Sequence, residues 1–310
     1  MKRLNLSSSD GHQIPAHIWL PEQQPIAIIQ ISHGMAEHHQ RYNRLAGQLN
    51  NAGYAVIAHD HRGHGQCSGL QGHYSDQQGW KHVIDDLGLV QNYIRQQYPD
   101  LPVFLLGHSM GSFISLAWAE QYGDQLAGLI LSGSNGDQGV MFSVAKLLIK
   151  LERYRQGAQG KSRFLDQVFF GQFNRSFGKT QTSFDWLSRD QQQVEKYLED
   201  EQCGFLCSNQ LWLDLISGLQ QIYRPQNLQK IPKQLPIHFI SGSKDPVSQS
   251  CKHLHKLLLN LEQSGFQQLS HTFYPNGRHE MFNETNYQQV QDELIQWITR
   301  HTSNRQASAA

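Results

Sequence analysis

The tightest constraint on this chain lies at residues 101–120, LPVFLLGHSMGSFISLAWAE. The apolar run at 103–106 reads as a buried strand, and the small and apolar residues after Gly111 read as a helix. Between them stands Gly107-His108-Ser109-Met110-Gly111, a G-x-S-x-G. In that setting the serine sits on a sharp strand-to-helix turn, with a strained backbone and an exposed hydroxyl. Glycines on both sides leave no side chain where neighbouring backbone must pass. The helix start turns free N–H groups, and the positive end of its dipole, toward whatever the hydroxyl attacks. The pentapeptide alone is common by chance, and its flanks are what give it weight.

The same alternation extends outward. Two short strands at 3–7 and 14–20 flank the turn signal Asp10-Gly11. Strands then follow at 26–32, 54–58, 126–131, 235–241 and 269–274. Helical patterns at 76–98, 249–262 and 286–300 lie between and after them, and the tail at 303–310 is expected to fray. Strands alternating with helices imply an α/β architecture with a mostly parallel sheet. The alternation lapses at 137–224, where only helical patterns occur, at 142–151, 165–170, 191–198 and 210–219. A helical insert between two strands is placed to cover the sheet's C-terminal edge, where ligands bind in open α/β sheets.

Composition removes several function classes. The 26 basic and 26 acidic side chains balance, without a long run of one sign, which offers no support for a nucleic-acid or anionic-membrane partner. The four cysteines, Cys67, Cys203, Cys207 and Cys251, lack the paired spacing of a zinc site and read as free thiols in a reducing compartment. The first residues lack the apolar segment of a signal peptide, and no run is long enough to span a membrane. A soluble, cytoplasmic protein is expected.

A serine hydroxyl is a weak nucleophile until a base takes its proton and an acid orients that base. Asp245, in SGSKDPV, follows the strand that ends near Ser241, and His279, in PNGRHEM, lies in the loop after the last strand. Singly these read as a turn residue and a loop histidine. In the order Ser109, Asp245, His279, each just past a strand, they form a candidate triad. Asp60 and Glu280 are alternative acids that match the strand-end order less well. The tetrahedral intermediate needs two donors. The candidates are the N–H of Met110, after the nucleophile, and the N–H of Met35, in His33-Gly34-Met35.

A rival reading attaches to His59-Asp60-His61-Arg62-Gly63-His64. This H-x-H-x-x-H resembles the zinc signature of metallo-β-lactamase-like hydrolases, but Gly63 stands where that signature carries an aspartate. The plainer reading is a glycine-rich loop with local hydrogen bonds, and no metal. The other histidines, His38, His39, His253 and His255 among them, are expected at the surface.

The segments HGMAEHHQRY (33–42), DHRGHGQCSG (60–69), GHSMGS (107–112), FDWLSRD (184–190), SGSKDPV (241–247) and GRHEMFNE (277–284) together resemble the monoacylglycerol lipase and lysophospholipase branch of the α/β-hydrolase family. The likeness spans nearly the whole chain. It implies the α/β-hydrolase fold, with helices on both faces of the sheet. Residues 1–136 and 225–310 would form the core, and 137–224 a helical cap over an acyl-chain tunnel. It also implies Ser109 as nucleophile, Asp245 as acid, His279 as base, Met35 and Met110 as oxyanion donors, and no cofactor. The expected reaction is hydrolysis of a monoacylglycerol or lysophospholipid through an acyl-enzyme, with a small lipid ester as partner and transient membrane-surface contact through the cap. The competing readings are a short-chain esterase, thioesterase, aminopeptidase or cofactor-free haloperoxidase on the same fold, and a binding protein that keeps the fold without catalysis.

Overall fold

The computed structural model describes residues 2–309, with side chains through residue 303. Eight strands form one sheet: β1 (Lys2–Ser7), β2 (Gln13–Trp19), β3 (Ala27–Ser32), β4 (Tyr54–His59), β5 (Val103–His108), β6 (Gly128–Ser132), β7 (Ile237–Gly242) and β8 (Leu269–Tyr274). Their spatial order is β1-β2-β4-β3-β5-β6-β7-β8. β1 and β2 form an antiparallel hairpin, β2 runs antiparallel to β4, and every later pairing is parallel. β3 to β7 are buried along their whole length, as strands covered on both faces must be.

Ten helices accompany the strands among the described residues: α1 (Asn43–Asn51), α2 (Gly79–Gln97), α3 (Met110–Tyr122), α4 (Val140–Gln156), α5 (Arg163–Phe169), α6 (Gln191–Glu199), α7 (Asn209–Ile222), α8 (Pro225–Leu228), α9 (Lys252–Gln263) and α10 (Tyr287–Ala309). Side-chain alternation on β5 shows how the layers form. Phe104 and Leu106 pack in the cluster that holds Leu45 and Leu49 of α1 and Leu294 of α10. Val103 and Leu105 point to the opposite face, which α2 and α3 cover.

Between β6 and β7 the described chain contains helices and no strand. Side-chain caps set where three of these helices begin. Ser162 Oγ accepts the N–H of Leu165, Asp190 accepts those of Gln192 and Gln193, and Ser208 Oγ accepts that of Leu211. Phe142 and Ile149 of α4, Leu165 of α5 and Leu211 and Leu215 of α7 join Phe113 and Ile114 of α3 in one hydrophobic cluster. That explains α3, which is buried on all sides from Met110 to Glu120, with apolar surface above it as well as below. The tail does not end the last helix at residue 300. With no Gly or Pro to stop it, α10 runs through Ala309, and residue 310 lies outside the described residues.

Candidate active site

Ser109 joins β5 to α3 at φ 51 and ψ −121, a conformation that non-glycine residues rarely adopt. Its N–H donates to the Ser132 carbonyl at 2.8 Å, and its own carbonyl accepts from Ser112 N at 2.8 Å and Ser112 Oγ at 2.6 Å. The flanking glycines are steric necessities. A Cβ on Gly111 would lie 2.0 Å from the Ser32 carbonyl oxygen, and one on Gly107 would lie 2.5 Å from the Gly111 carbonyl oxygen. Both obstacles are backbone, which cannot swing aside.

His279 stands in the loop after β8, buried, with Nδ1 at 3.1 and 3.0 Å from the two carboxylate oxygens of Asp245. Asp245 is held in turn by the Val247 N–H at 2.9 Å and the Ser241 hydroxyl at 3.4 Å. A carboxylate at Nδ1 keeps the proton there and leaves Nε2 as the basic nitrogen. Burial alone would make this imidazole a weaker base, but the charge and hydrogen bond of Asp245 outweigh it, and its pKa is raised. The neighbouring ring of His108, 4.9 Å away between centroids, goes the other way. Burial, and then His279, push its pKa down to about 4, so His108 stays neutral beside His279.

Ser109, His279 and Met35 line one small cavity, together with Glu37, Asp166, Gln167 and Glu280. A larger cavity of about 600 Å³ opens from Ser109, Met35 and Met110 and runs beneath α4, α5 and α7. Its walls are mostly apolar and include Phe113, Phe142, Leu148, Trp212, Leu215 and Leu219. Met110 is the first residue of α3, where a backbone N–H has no partner within the helix.

The amide of Met35 is oriented by His33. The His61 N–H donates to His33 Nε2 at 3.0 Å, so that nitrogen is bare and Nδ1 carries the proton. Nδ1 then donates to the Gly34 carbonyl at 2.8 Å. In a trans peptide the N–H points opposite to the C=O, so the grip on Gly34 turns the Met35 N–H away from His33. Burial, followed by the neighbouring His64, holds the His33 pKa well below its ordinary value, and the ring stays neutral.

Residues 23–286 match the family described as serine aminopeptidase, S33. The chain belongs to that family. It is 30% identical to the Homo sapiens monoglyceride lipase, across 96% of this chain and 91% of that one. It is 28% identical to the monoacylglycerol lipase of Mycolicibacterium smegmatis, across 94% of each. Among solved structures, a thermostable carboxyl esterase from Bacillus coagulans in complex with glycerol superposes with a TM-score of 0.90 at 29% identity, covering 97% of this chain and 98% of that one. The fold is that of the α/β-hydrolases.

In this family member the alternative acids serve elsewhere. Asp60 accepts from His39 Nδ1 at 2.8 Å and from the His39 and Gln66 N–H groups. Glu280 pairs with Arg41. The H-x-H-x-x-H histidines turn to separate protein groups. His61 Nε2 lies 3.0 Å from Ser32 Oγ, His64 Nδ1 lies 2.9 Å from the Arg62 carbonyl, and the His59 ring packs edge-on against His61. Two other histidine expectations fail. His38 and His39 are buried: His38 Nε2 meets Asp200 at 2.8 Å, and His39 stacks on His17 with centroids 3.8 Å apart. Polar partners distant in sequence pull both inside. His255 is exposed and His253 half-buried.

The sequence reading missed the Glu37–Arg41–Glu280 cluster. Arg41 Nη1 reaches Glu37 Oε2 at 2.7 Å and Glu280 Oε1 at 2.5 Å, while Nη2 takes Glu280 Oε2 at 2.7 Å. Glu37 Oε1 in turn accepts the Gly34 N–H at 2.5 Å and the Tyr42 hydroxyl at 2.9 Å. The cluster thereby ties the Met35 loop to the His279 loop. Glu37 and Arg41 are four residues apart and were readable as a pair, whereas Glu280 is 239 residues from Arg41.

Proposed function

We propose that this protein is a serine carboxylester hydrolase that removes a single acyl chain from a monoacylglycerol. In this reading Ser109 Oγ attacks the ester carbonyl while His279 Nε2 takes its proton, and Asp245 stabilises the imidazolium that forms. The N–H groups of Met35 and Met110 receive the oxyanion. His279 then protonates the departing glycerol oxygen, and a water molecule, activated by the same imidazole, releases the fatty acid from the acyl-enzyme. Residues 137–224 serve as the cap. No cofactor enters any step.

The observation that carries this reading is the apolar cavity of about 600 Å³ beginning at Ser109. Each methylene buried there contributes about 0.8 kcal/mol, so affinity should rise with chain length until the cavity ends. The relatives named as monoglyceride and monoacylglycerol lipases point to the same substrate class. The smaller cavity presents Glu37, Asp166 and Glu280 and no Lys or Arg, which favours an uncharged glycerol over a phosphodiester headgroup. Monoacylglycerol is therefore preferred over lysophospholipid.

The cap also carries an apolar outer face. Val140 and Leu147 are 78% and 59% exposed, and Leu151 lies on the same side of α4. No helix among the described residues is long and apolar enough to cross a membrane. An amphipathic face of this kind suits transient contact with a lipid surface, next to the cavity that α4 helps to line.

The test is kcat/KM across monoacylglycerols of increasing chain length, one triacylglycerol and one lysophospholipid. Rates should climb with chain length and then level off, with the triacylglycerol far slower. A best substrate of two to four carbons would point instead to a general esterase. Ser109→Ala should lose about 10⁴ to 10⁶ in rate with the fold retained; substantial residual turnover would remove Ser109 as the nucleophile.

A further inference from the structure

The loop that carries Met35 is gripped from two directions. His33 and Glu37 hold Gly34 from within the sheet body. The next carbonyl along the loop to be held, that of Ala36, is held by the insert. It accepts the Tyr197 hydroxyl at 3.0 Å and the Gly204 N–H at 3.0 Å. A carbonyl oxygen has two acceptor positions, and both are filled here by residues that follow α6 or lie on it. Asp200, in the same segment, meets His38 Nε2 at 2.8 Å. Ala36 itself sits at φ 52, a left-handed conformation that is sterically costly for an alanine. The Tyr197 ring is fixed by the Arg41 guanidinium, 4.8 Å from its centroid, and by Phe184, 5.0 Å between centroids. Burial, then the neighbouring Cys203, raise the Tyr197 pKa well above the usual phenol range, so its hydroxyl remains a donor.

We propose that Tyr197, together with the Gly204 amide, is a positioning residue of the oxyanion hole. The insert then does more than cover the site: it holds the Ala36 carbonyl, which fixes the backbone one residue beyond Met35 and so keeps the Met35 N–H from swinging away from where negative charge develops. This rests on the reading of Ser109 as nucleophile and of Met35 as an oxyanion donor. Tyr197 also lines the small cavity, so a direct contact with the polar end of the substrate is the competing role.

Tyr197→Phe separates the two, because it removes one hydroxyl and keeps the ring. Its kcat and KM are to be measured on a monoacylglycerol and on a 4-nitrophenyl ester of the same acyl chain. The rate of Ser109 labelling by an alkyl fluorophosphonate is followed in parallel, with all rates normalised to titrated active sites. We expect kcat to fall about tenfold on both esters, KM to stay within about twofold, and labelling to slow by a similar factor, at nearly unchanged Tm. Asp200→Asn, which loosens the same segment from His38, should lower kcat in the same direction. Unchanged kcat and labelling in Tyr197→Phe would overturn the proposal, as would a loss confined to KM or to the glycerol ester. A wild-type protein that the fluorophosphonate does not label would instead overturn the nucleophile assignment itself.

Discussion

His279 and His108 are neighbouring buried imidazoles with opposite tendencies, and a carboxylate makes the difference. Asp245 touches only the first, so His279 is raised and His108 lowered. In its proposed role as general base His279 must be neutral, and activity should be lost as pH falls through its pKa. Because that pKa lies above the ordinary value of about 6.5, the acid limb of kcat/KM should lie above pH 6.5. A limb well below 6 would contradict the pairing. Asp245→Asn should lower kcat by about 10⁴, since an amide can hold the imidazole in the wrong tautomer. Near-normal turnover in that variant, with a collapse in Asp60→Asn, would transfer the acid role to Asp60.

At the scale of elements, α4 has two unlike apolar faces. Phe142 and Leu148 look into the large cavity, while Leu147 and Leu151 look outward, interleaved with the exposed Lys150 and Arg153. Leu147→Glu combined with Leu151→Glu should slow hydrolysis of monoacylglycerol in anionic vesicles several-fold. Turnover of a water-soluble ester should not change, as neither residue lines the cavity. Equal rates on vesicles would remove the surface-contact role. The elements were themselves legible in the sequence, because hydrophobic period and turn chemistry are local. β8 falls at the residues expected, and the elbow follows from its glycines. Burial of polar side chains was not legible. His38, His39 and Glu280 look solvated in their own segments, and only partners brought in by the tertiary fold draw them inside. Tyr197 falls within the helical pattern at 191–198, and nothing local marks its bond to Ala36.

For the whole molecule, four buried histidines near Asp60 make acid a specific threat. His59 and His64 are lowered to about 4, and His33 and His61 well below their ordinary value, with burial the leading cause in each. Once unfolded, these rings take up protons below about pH 6.5, while the folded protein resists until about 4 or lower. The unfolded state thus binds more protons across that window, and stability must fall as pH drops through it. His279, with its raised pKa, and Glu120 and Asp214, pushed up by burial to about 8 and about 6, oppose this, while His17, His108 and His238, lowered to about 4, add to it. Urea unfolding at pH 7, 6 and 5 should show a decline steeper than one proton allows; a flat profile would mean that these rings are charged in the native state.

The shared cluster of α3 and α7 bears on how such a chain can be recombined. α7 also packs against α2 so closely that a Cβ on Gly218 would lie 2.2 Å from the Trp80 ring. Leu211 and Leu215 complete the surface over Ile114. A chimera that swapped in a foreign segment ending beyond α7 would have to match a stranger's helix to this chain's α2 and α3. A graft that ends just before Ser208 keeps that seam, yet it must bring an α4 that fits this chain's α7 and a Tyr197 and Gly204 that still reach the Ala36 carbonyl.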